Sequence, residues 1–211
     1  MGFKNEQRGG ARYINFKKGK MINDGKEQGS FEGELVELEI KPEVYEGKPY
    51  QQLVLFFWEP ALERIFEVQM SMTSGYGFAF FAMTPNIDPG VPLEISCGMN
   101  TLDNGNKAGA LFLRQQEKPL KWYYSKKNNP EAFAKIPAAK EIKKATKNKP
   151  AVFDYEDRDN FIEKVLTAFQ TKKLLPLYPK GASGFKSKSS GKEDAKGRSI
   201  PSDVTEDDLP F

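Results

Sequence analysis

Residues 34–41 read ELVELEIK, and their alternation fixes the first element of the fold. The apolar residues Val36, Leu38 and Ile40 stand at every second position, and charged residues separate them. Successive side chains of a strand point to opposite faces. The stretch therefore predicts a strand with one face buried and the other in solvent.

Four further segments extend this pattern on the C-terminal side. They alternate or are mostly apolar, and they predict strands at 50–58, 64–72, 91–97 and 109–116. Asn104-Gly105 is a hairpin turn signal between the last two. Residues 74–90 contain glycines and prolines and predict a short helix and a loop between the third and fourth strands. We expect a mainly β protein with an OB-fold, a five-stranded antiparallel barrel, although an SH3-like barrel or a small sandwich would give a similar pattern.

The C-terminal part changes character twice. Residues 157–173 predict an amphipathic helix, with Asp157 or Asp159 as a candidate cap. Its apolar face consists of Phe161, Ile162, Val165, Leu166 and Phe169. Residues 179–202 are rich in Gly, Ser and Lys, which is typical of a disordered linker. This divides the chain into a domain at 1–178, a linker, and an acidic tip at 203–211.

Composition excludes several kinds of chemistry. The chain has no histidine and only one cysteine, Cys97, so a Ser-His-Asp system, a His zinc site and an internal disulfide are excluded. It shows no signal region at the N-terminus and no apolar run of roughly 18 residues, so we expect no membrane association and a reducing, cytoplasmic location. No metal or other cofactor is expected.

Charge is distributed unevenly along the chain. The net charge is +3, from 32 basic and 29 acidic residues. Residues 199–211 hold four acids and no base, so the rest carries 32 − 25 = +7. The excess is concentrated in residues 1–26 and 114–149. A basic body with an acidic end predicts a polyanionic partner.

Aromatic residues stand among bases in two stretches, RYINFKKGK (12–20) and KPLKWYYSKK (118–127). Single-stranded nucleic acid favours this mixture, because cations follow the phosphates and flat rings stack on unpaired bases. The alternative for each stretch is an amphipathic strand with a solvated basic face. The candidate ligands in these stretches are Arg12, Tyr13, Phe16, Lys17, Lys18, Lys121, Trp122, Tyr124 and Lys126, and Arg114, just before the second stretch, is a further candidate.

The loop after the first predicted strand adds candidates. Tyr45, Lys48 and Tyr50 lie in KPEVYEGKPY (41–50), which borders the ligand groove in an OB-fold. Trp58 follows the second strand and faces either this groove or the core.

Enzyme signals are weak. Residues 141–143 (Glu-Ile-Lys) match the Glu-x-Lys of metal-dependent nucleases, but the carboxylate that such a site needs upstream is not evident. The acids at 154–159 are explained by the dipole of the helix that follows them. We therefore expect a protein that is not an enzyme.

The final residues carry the most specific signal. Residues 206–211 read EDDLPF and closely resemble the tip of bacterial single-stranded DNA-binding proteins (SSBs), which typically reads DDDIPF. Glu206 replaces the first Asp, and Leu209 replaces Ile. The chain is similar to the SSBs of bacteriophages, which combine an OB-fold with an acidic tail that ends in Phe.

The resemblance implies a role and a set of partners. It implies a protein that coats single-stranded DNA in replication, recombination and repair, in the bacterial host cytoplasm if the chain is phage-encoded, and it leaves open a homo-oligomer. Phe211 would dock in a pocket of a partner protein beside Leu209 and Pro210, and Asp207 and Asp208 would meet its basic residues. The alternatives are an OB-type RNA-binding protein and a nuclease or replication enzyme that carries this tip.

Overall fold

The computed structural model describes residues 12–102, 105–144 and 151–185, and within them the chain is mainly β. The strands are β1 Arg12–Lys17, β2 Lys20–Asn23, β3 Lys26–Gln28, β4 Ser30–Tyr45, β5 Lys48–Glu59, β6 Arg64–Ser71, β7 Leu93–Thr101, β8 Lys107–Gln115, β9 Lys118–Pro119, β10 Lys140–Lys143 and β11 Val152–Asp154. The α-helices are α1 Gly75–Met83, α2 Pro130–Phe133 and α3 Glu156–Phe169.

The five predicted strands are confirmed as β4 to β8. They lie side by side in the order β6-β5-β4-β7-β8. The long β4 belongs to two pairings, since residues 30–33 pair with β7 and residues 34–45 pair with β5, with a bulge between Leu35 and Glu37. All of these neighbours are antiparallel.

The closed five-stranded barrel that we expected is wrong. The strands form an open nine-stranded sheet in the order β3-β2-β1-β6-β5-β4-β7-β8-β9. The N-terminal strand β1 pairs in parallel with β6 and so occupies the free edge of that strand. For residues 12–20 the strand was only the alternative to a nucleic-acid-binding stretch, and the short strands β2 and β3, of four and three residues, were not predicted.

The turn between β1 and β2 lies against α1 and β7. Gly19 has a φ of 77°, and its N–H donates to the hydroxyl of Tyr76 at 2.8 Å. A Cβ at Gly19 would lie 2.7 Å from Cγ of Met99 in β7. Only glycine therefore allows this close approach between the two ends of the sheet.

Helix α1 fills the interior, and it confirms the short helix predicted within 74–90. The Ser74 side chain caps it by accepting the N–H of Gly77 at 3.2 Å. A Cβ on Gly75 would collide with the carbonyl oxygen of Gly109, so the helix begins directly on the backbone of β8. Phe80 and Phe81 of α1 are fully buried in the core.

The predicted C-terminal amphipathic helix is also confirmed, as α3 and a π-helical continuation at Gln170–Leu174. Ile162, Leu166 and Phe169 are buried on its inner face. The predicted caps are wrong, because neither Asp157 nor Asp159 takes that position. Tyr155 is the N-cap and makes no side-chain capping bond, and a carboxylate oxygen of Asp154 accepts the N–H of Glu156 at 2.9 Å.

The C-terminal end of the described chain is in contact with the body. Residues 179–185 belong to the predicted linker, and they include a short 3₁₀ helix at Gly181–Gly184. The rest of that linker and the whole predicted tip lie outside the described residues. Within the described ranges, no helix combines the length and the apolar character needed to cross a membrane.

Candidate functional site

One side of the sheet carries aromatic side chains that do not enter the core. We call it the outer face, and it is formed by β1, β6, β5 and the second half of β4. Its side chains lie in rows across the strands because residues that are paired in register point to the same side. The rows are Ile65, Trp58 and Glu34; then Tyr13, Glu67, Phe56 and Glu37; then Asn15, Gln69, Val54 and Glu39; and then Gln52 and Lys41.

Strand β5 shows why these rings point outward. Leu53, Leu55 and Phe57 are fully buried and face the core. The alternate positions Phe56 and Trp58 therefore face the other side, where both remain partly exposed. In β1 the same alternation turns Ile14 into the core and leaves Tyr13 36% exposed. The outer face thus offers three rings, Tyr13 on β1 and Phe56 and Trp58 on β5, with β6 lying between these two strands.

Glu67 lies between two of these rings. Burial raises the pKa of its carboxyl above the ordinary value, the hydrogen bond from Gln69 at 3.3 Å and the charge of Lys41 lower it, and the charge of Glu39 raises it. The net shift is upward. The carboxyl therefore becomes neutral at a higher pH than an exposed glutamate does.

Lys41 supplies a cation at the edge of the aromatic rows. Its Nζ lies 2.7 Å from the carboxylate of Glu39 and 5.8 Å from the centroid of the Phe56 ring. The hydrogen bond to Glu39 raises the pKa of Lys41, so its charge persists. Tyr13 lies near both Lys41 and Glu67, and burial followed by the charge of Glu67 raises the pKa of its hydroxyl.

A C-terminal segment covers one corner of the outer face. We call residues 178–185 the strap. Phe185 stacks on Trp58, with ring centroids 4.9 Å apart and an angle of 28° between the ring planes. The Tyr178 hydroxyl donates to Glu34, and the N–H of Ala182 donates to Glu37 at 2.8 Å. The strap therefore binds the row ends that β4 and β5 provide.

Two predicted ligands lie in the core instead. Phe16 is 7% exposed and stacks on Tyr76, with centroids 4.9 Å apart. Tyr124 is 8% exposed and stacks on Phe81 at 4.6 Å with an interplanar angle of 11°. Neither ring offers a face to a base, so both assignments are corrected. Strand alternation turns the Phe16 ring into the core, and the backbone hydrogen bond to Ala82 holds Tyr124 so that its ring packs there as well.

The rest of the second aromatic stretch lies beside α1. The N–H groups of Tyr123 and Tyr124 both donate to the carbonyl of Ala82, at 2.7 and 3.2 Å. Trp122 remains 40% exposed and contacts the edge of Phe78, with centroids 6.1 Å apart. We call Trp122, together with Lys121 and Lys126, the Trp122 patch. It lies beside α1, whereas Tyr13 belongs to β1.

Its lysines lie around it. Lys121 is exposed, and its carbonyl accepts a hydrogen bond from Asn86 at 2.9 Å. Lys126 is exposed, and its Nζ lies 5.3 Å from the centroid of the Phe133 ring in α2. The Trp122 patch is therefore a second, separate combination of rings and cations.

The β4–β5 hairpin carries three predicted ligands. Tyr45 pairs with Lys48 across a two-residue turn, Glu46-Gly47, whose φ angles of 48° and 77° are both positive. Such a turn matches the twist of a hairpin. Tyr50 pairs with Glu43 next to it. These side chains lie at the distal end of the strands that build the outer face.

The remaining predicted ligands are basic. Lys17 and Lys18 lie at the end of β1 and are exposed. The guanidinium of Arg12 lies 3.6 Å from the carboxylate of Asp24. Arg114 extends from β8, 3.9 Å from Glu94 of β7. In the sheet order β7 therefore separates Arg114 from β4, the nearest strand that contributes to the outer face.

Sequence reasoning missed Phe56 and Ile65. Phe56 sits in the run LVLFFW, which is apolar at every position, so the sequence has no period that separates its inner from its outer side chains. The pairing of Phe57 with Phe66 identifies the inner side. The phase of the neighbouring strand β6, where Phe66 and Val68 are buried, is the signal that could have found both residues.

The residues of the nuclease-like match belong to a separate two-stranded sheet. Glu141 and Lys143 are exposed on β10, whose partner is β11. In the acidic stretch nearby, Lys140 lies 2.6 Å from Asp157, and Arg158 lies 3.1 Å from Asp159. Among the residues that the structure describes, no group of three or more His, Cys, Asp or Glu side chains could hold a metal ion.

Comparison of the whole chain with protein-family models, with curated proteins and with solved structures finds no match.

Proposed function

We propose that this protein binds single-stranded DNA with little sequence preference and that the outer face is its binding surface. The observation that carries the proposal is the set of three rings, Tyr13 of β1 and Phe56 and Trp58 of β5, on one face of the sheet. Each ring offers a flat apolar surface at least partly open to solvent. Stacking of a base on such a ring contributes about 1–3 kcal/mol and tolerates any base.

The charges of the outer face favour bases over phosphates at its centre. Glu37, Glu39 and Glu67 lie among the rings, and their carboxylates repel a phosphate backbone. They accept hydrogen bonds from the amino groups of bases. Lys41 and Lys17 lie towards one end of the rows. The backbone of a bound strand therefore follows the lysines, and its bases turn towards the sheet.

The strand layout supports this choice of surface. The five strands β4 to β8, with α1 between the third and the fourth, fit the plan of an OB-fold, which is a partly open Greek-key barrel. Proteins of that fold bind oligonucleotides across their second and third strands and in the loop between the first two. Here these are β5, β6 and the hairpin that bears Tyr45, Lys48 and Tyr50.

Residues 203–211 complete the proposal. Their resemblance to the SSB tip supports a second role, in which they recruit proteins of DNA replication, recombination and repair to the coated strand. An aromatic ring and a run of acids suit a basic partner that contains an apolar pocket. Phe211→Ala should abolish capture of such a partner and leave DNA affinity unchanged, measured with one protein sample for both assays.

A titration tests the DNA-binding role. A Trp122→Phe variant leaves Trp58 as the only tryptophan, so its fluorescence reports on the outer face during addition of oligo(dT). We expect a fluorescence change, preference for oligo(dT) over duplex DNA, and loss of affinity as salt rises. Binding to duplex in preference to oligo(dT) would overturn the proposal, and tighter binding to oligo(U) would favour the RNA-binding alternative. Cleavage of labelled DNA with Mg²⁺ would favour the nuclease alternative.

A further inference from the structure

The stack of Phe185 on Trp58 has the geometry of a ring on a base-binding residue. The two planes are 28° from parallel, and the centroids are 4.9 Å apart. Phe185 also contacts Tyr178, with centroids 6.0 Å apart and an angle of 54° between the ring planes. Phe185 therefore contacts both Trp58, which belongs to the proposed DNA surface, and Tyr178, which belongs to its own segment.

We propose that Trp58 and Tyr178 form a subsite for one unpaired nucleobase, and that Phe185 fills this subsite until a base replaces it. The inference rests on the proposed function, since it assigns a ligand to one corner of the same outer face. A nucleobase is flat and aromatic, as Phe185 is, so it recovers the stacking that displacement of Phe185 loses.

The contacts of the strap are suited to exchange. Phe185 lies outside the buried core cluster, so its departure opens no cavity in the core. The hydrogen bonds between the strap and the sheet end on two carboxylates, where Tyr178 donates to Glu34 and the N–H of Ala182 donates to Glu37. These bonds anchor residues 178–182 while the ring of Phe185, three residues further on, leaves Trp58.

The two carboxylates also predict which bases the subsite prefers. Glu34 is the register partner of Trp58, and Glu37 is the partner of Phe56. A carboxylate accepts from the exocyclic amino group of cytosine or adenine, and thymine lacks such a group. The subsite should therefore favour cytosine over thymine by a modest factor.

Occupation by Phe185 lowers the apparent affinity for DNA. A ligand that binds only the open form has its affinity reduced by the fraction of protein that is open. A single aromatic pair supports an effect of about 2- to 10-fold in affinity.

A set of variants tests this exchange. Phe185→Ala removes the competing ring, and we expect it to bind oligo(dC) about 2- to 10-fold more tightly than the wild type. Phe185→Tyr retains a stacking ring and should restore wild-type affinity. Leu177→Ala is the matched control, because it removes an exposed apolar side chain just before the strap and should change nothing. Trp58→Ala/Phe185→Ala should bind no more tightly than Trp58→Ala, since the ring that both ligands need is absent.

Fluorescence supplies a readout that does not depend on DNA. In the Trp122→Phe background, Phe185→Ala should alter the emission of Trp58 in the free protein, and oligo(dC) should produce a smaller further change than in the parent. Equal or weaker DNA binding by Phe185→Ala, with Trp58→Ala still impaired, would overturn the exchange and leave the proposed function intact. Absence of any binding by the wild type would overturn the proposed function itself.

Discussion

Two stretches that both mix aromatic and basic residues, 12–20 and 118–127, occupy different structural positions. The first is a strand, and its alternation places Tyr13 on the outer face and Phe16 in the core. The second is anchored by hydrogen bonds to Ala82 and packs beside α1. There Tyr124 enters the core and Trp122 stays exposed.

The difference teaches how to interpret aromatic residues among bases. In both stretches one ring packs in the core and another faces solvent, so neighbouring lysines do not reveal the role of a ring. The backbone determines which ring is buried. In the first stretch it acts through the alternation of β1, and in the second through the hydrogen bonds to the carbonyl of Ala82. Each assignment can be tested by separating the effects on stability from the effects on binding.

The largest expected effect concerns the two buried rings. Phe16→Ala and Tyr124→Ala should each lower the free energy of unfolding by about 3–5 kcal/mol, because each leaves a cavity beside a stacked partner. Urea unfolding measures this as a lower midpoint with an unchanged slope.

Tyr123→Ala is the control for Tyr124→Ala. It removes the neighbouring ring, which is 37% exposed, and should lower stability far less. If Tyr124→Ala retained wild-type stability and instead lost affinity for DNA, Tyr124 would be a ligand and its placement in the core would be wrong.

The sequence predicts the central part of this fold because β4 to β8 carry strong patterns, either alternation or long apolar runs. It does not predict β1 as a neighbour of β6, because that pairing is parallel and joins residues that are far apart in the chain. The short strands β9 to β11 have two to four residues each and carry too few side chains for a period.

The candidate site could be predicted in part. Tyr13 and Trp58 were found from their composition and position, and both lie on the outer face. Phe56 depends on the pairing phase of an apolar run. The strap resembles a linker in composition, and its two aromatic residues gain a role only through contact with strands more than a hundred residues earlier.

The next largest expected effect is on DNA affinity, and it distinguishes the outer face from the Trp122 patch as the binding surface. Tyr13→Ala should weaken binding of oligo(dT) by about 1–3 kcal/mol if its ring stacks on a base. Trp122→Ala should weaken it by less, because the Trp122 patch packs beside α1, apart from the rings of Phe56 and Trp58. Binding measured by polarisation of a labelled oligo(dT) compares the two variants directly.

Phe112→Ala serves as a further reference. Phe112 is an exposed ring on β8 that pairs with Ser96 of β7, on a part of the sheet beyond β4. Its removal should leave affinity unchanged. A larger loss for Trp122→Ala than for Tyr13→Ala would move the binding surface to the Trp122 patch.

A smaller effect comes from Glu67. Glu67→Gln removes a negative charge between two rings of the outer face and should tighten binding of oligo(dT) by a factor of about 2 to 5, an effect below 1 kcal/mol that is typical of partly screened charges. Glu32→Gln, on the solvent-exposed part of β4 that pairs with β7, is the matched control and should have less effect.

The same residue predicts a pH dependence. The pKa of Glu67 is raised by burial, so its carboxyl takes up a proton before ordinary glutamates do as pH falls. Protonation removes a charge that repels phosphate, and affinity for oligo(dT) should therefore rise as pH falls from neutrality towards that pKa. Glu67→Gln should show a flatter profile, and identical profiles would mean that Glu67 does not face the bound strand.

The smallest expected effect concerns single lysines and is best measured as a salt dependence. Lys17 is exposed at the end of β1, two residues beyond the outer-face position Asn15, whereas Lys127 is exposed next to the Trp122 patch. Each phosphate contact to a single strand adds about 0.7 to the slope of log affinity against log salt. Lys17→Met should reduce that slope by about this amount, because the phosphates of a strand on the outer face pass the end of β1. Lys127→Met should leave it unchanged, although both variants remove one charge and alter the net charge equally. Equal reductions of the salt slope for Lys17→Met and Lys127→Met would mean that the DNA strand passes both the outer face and the Trp122 patch. The two regions would then differ only in how their aromatic rings pack.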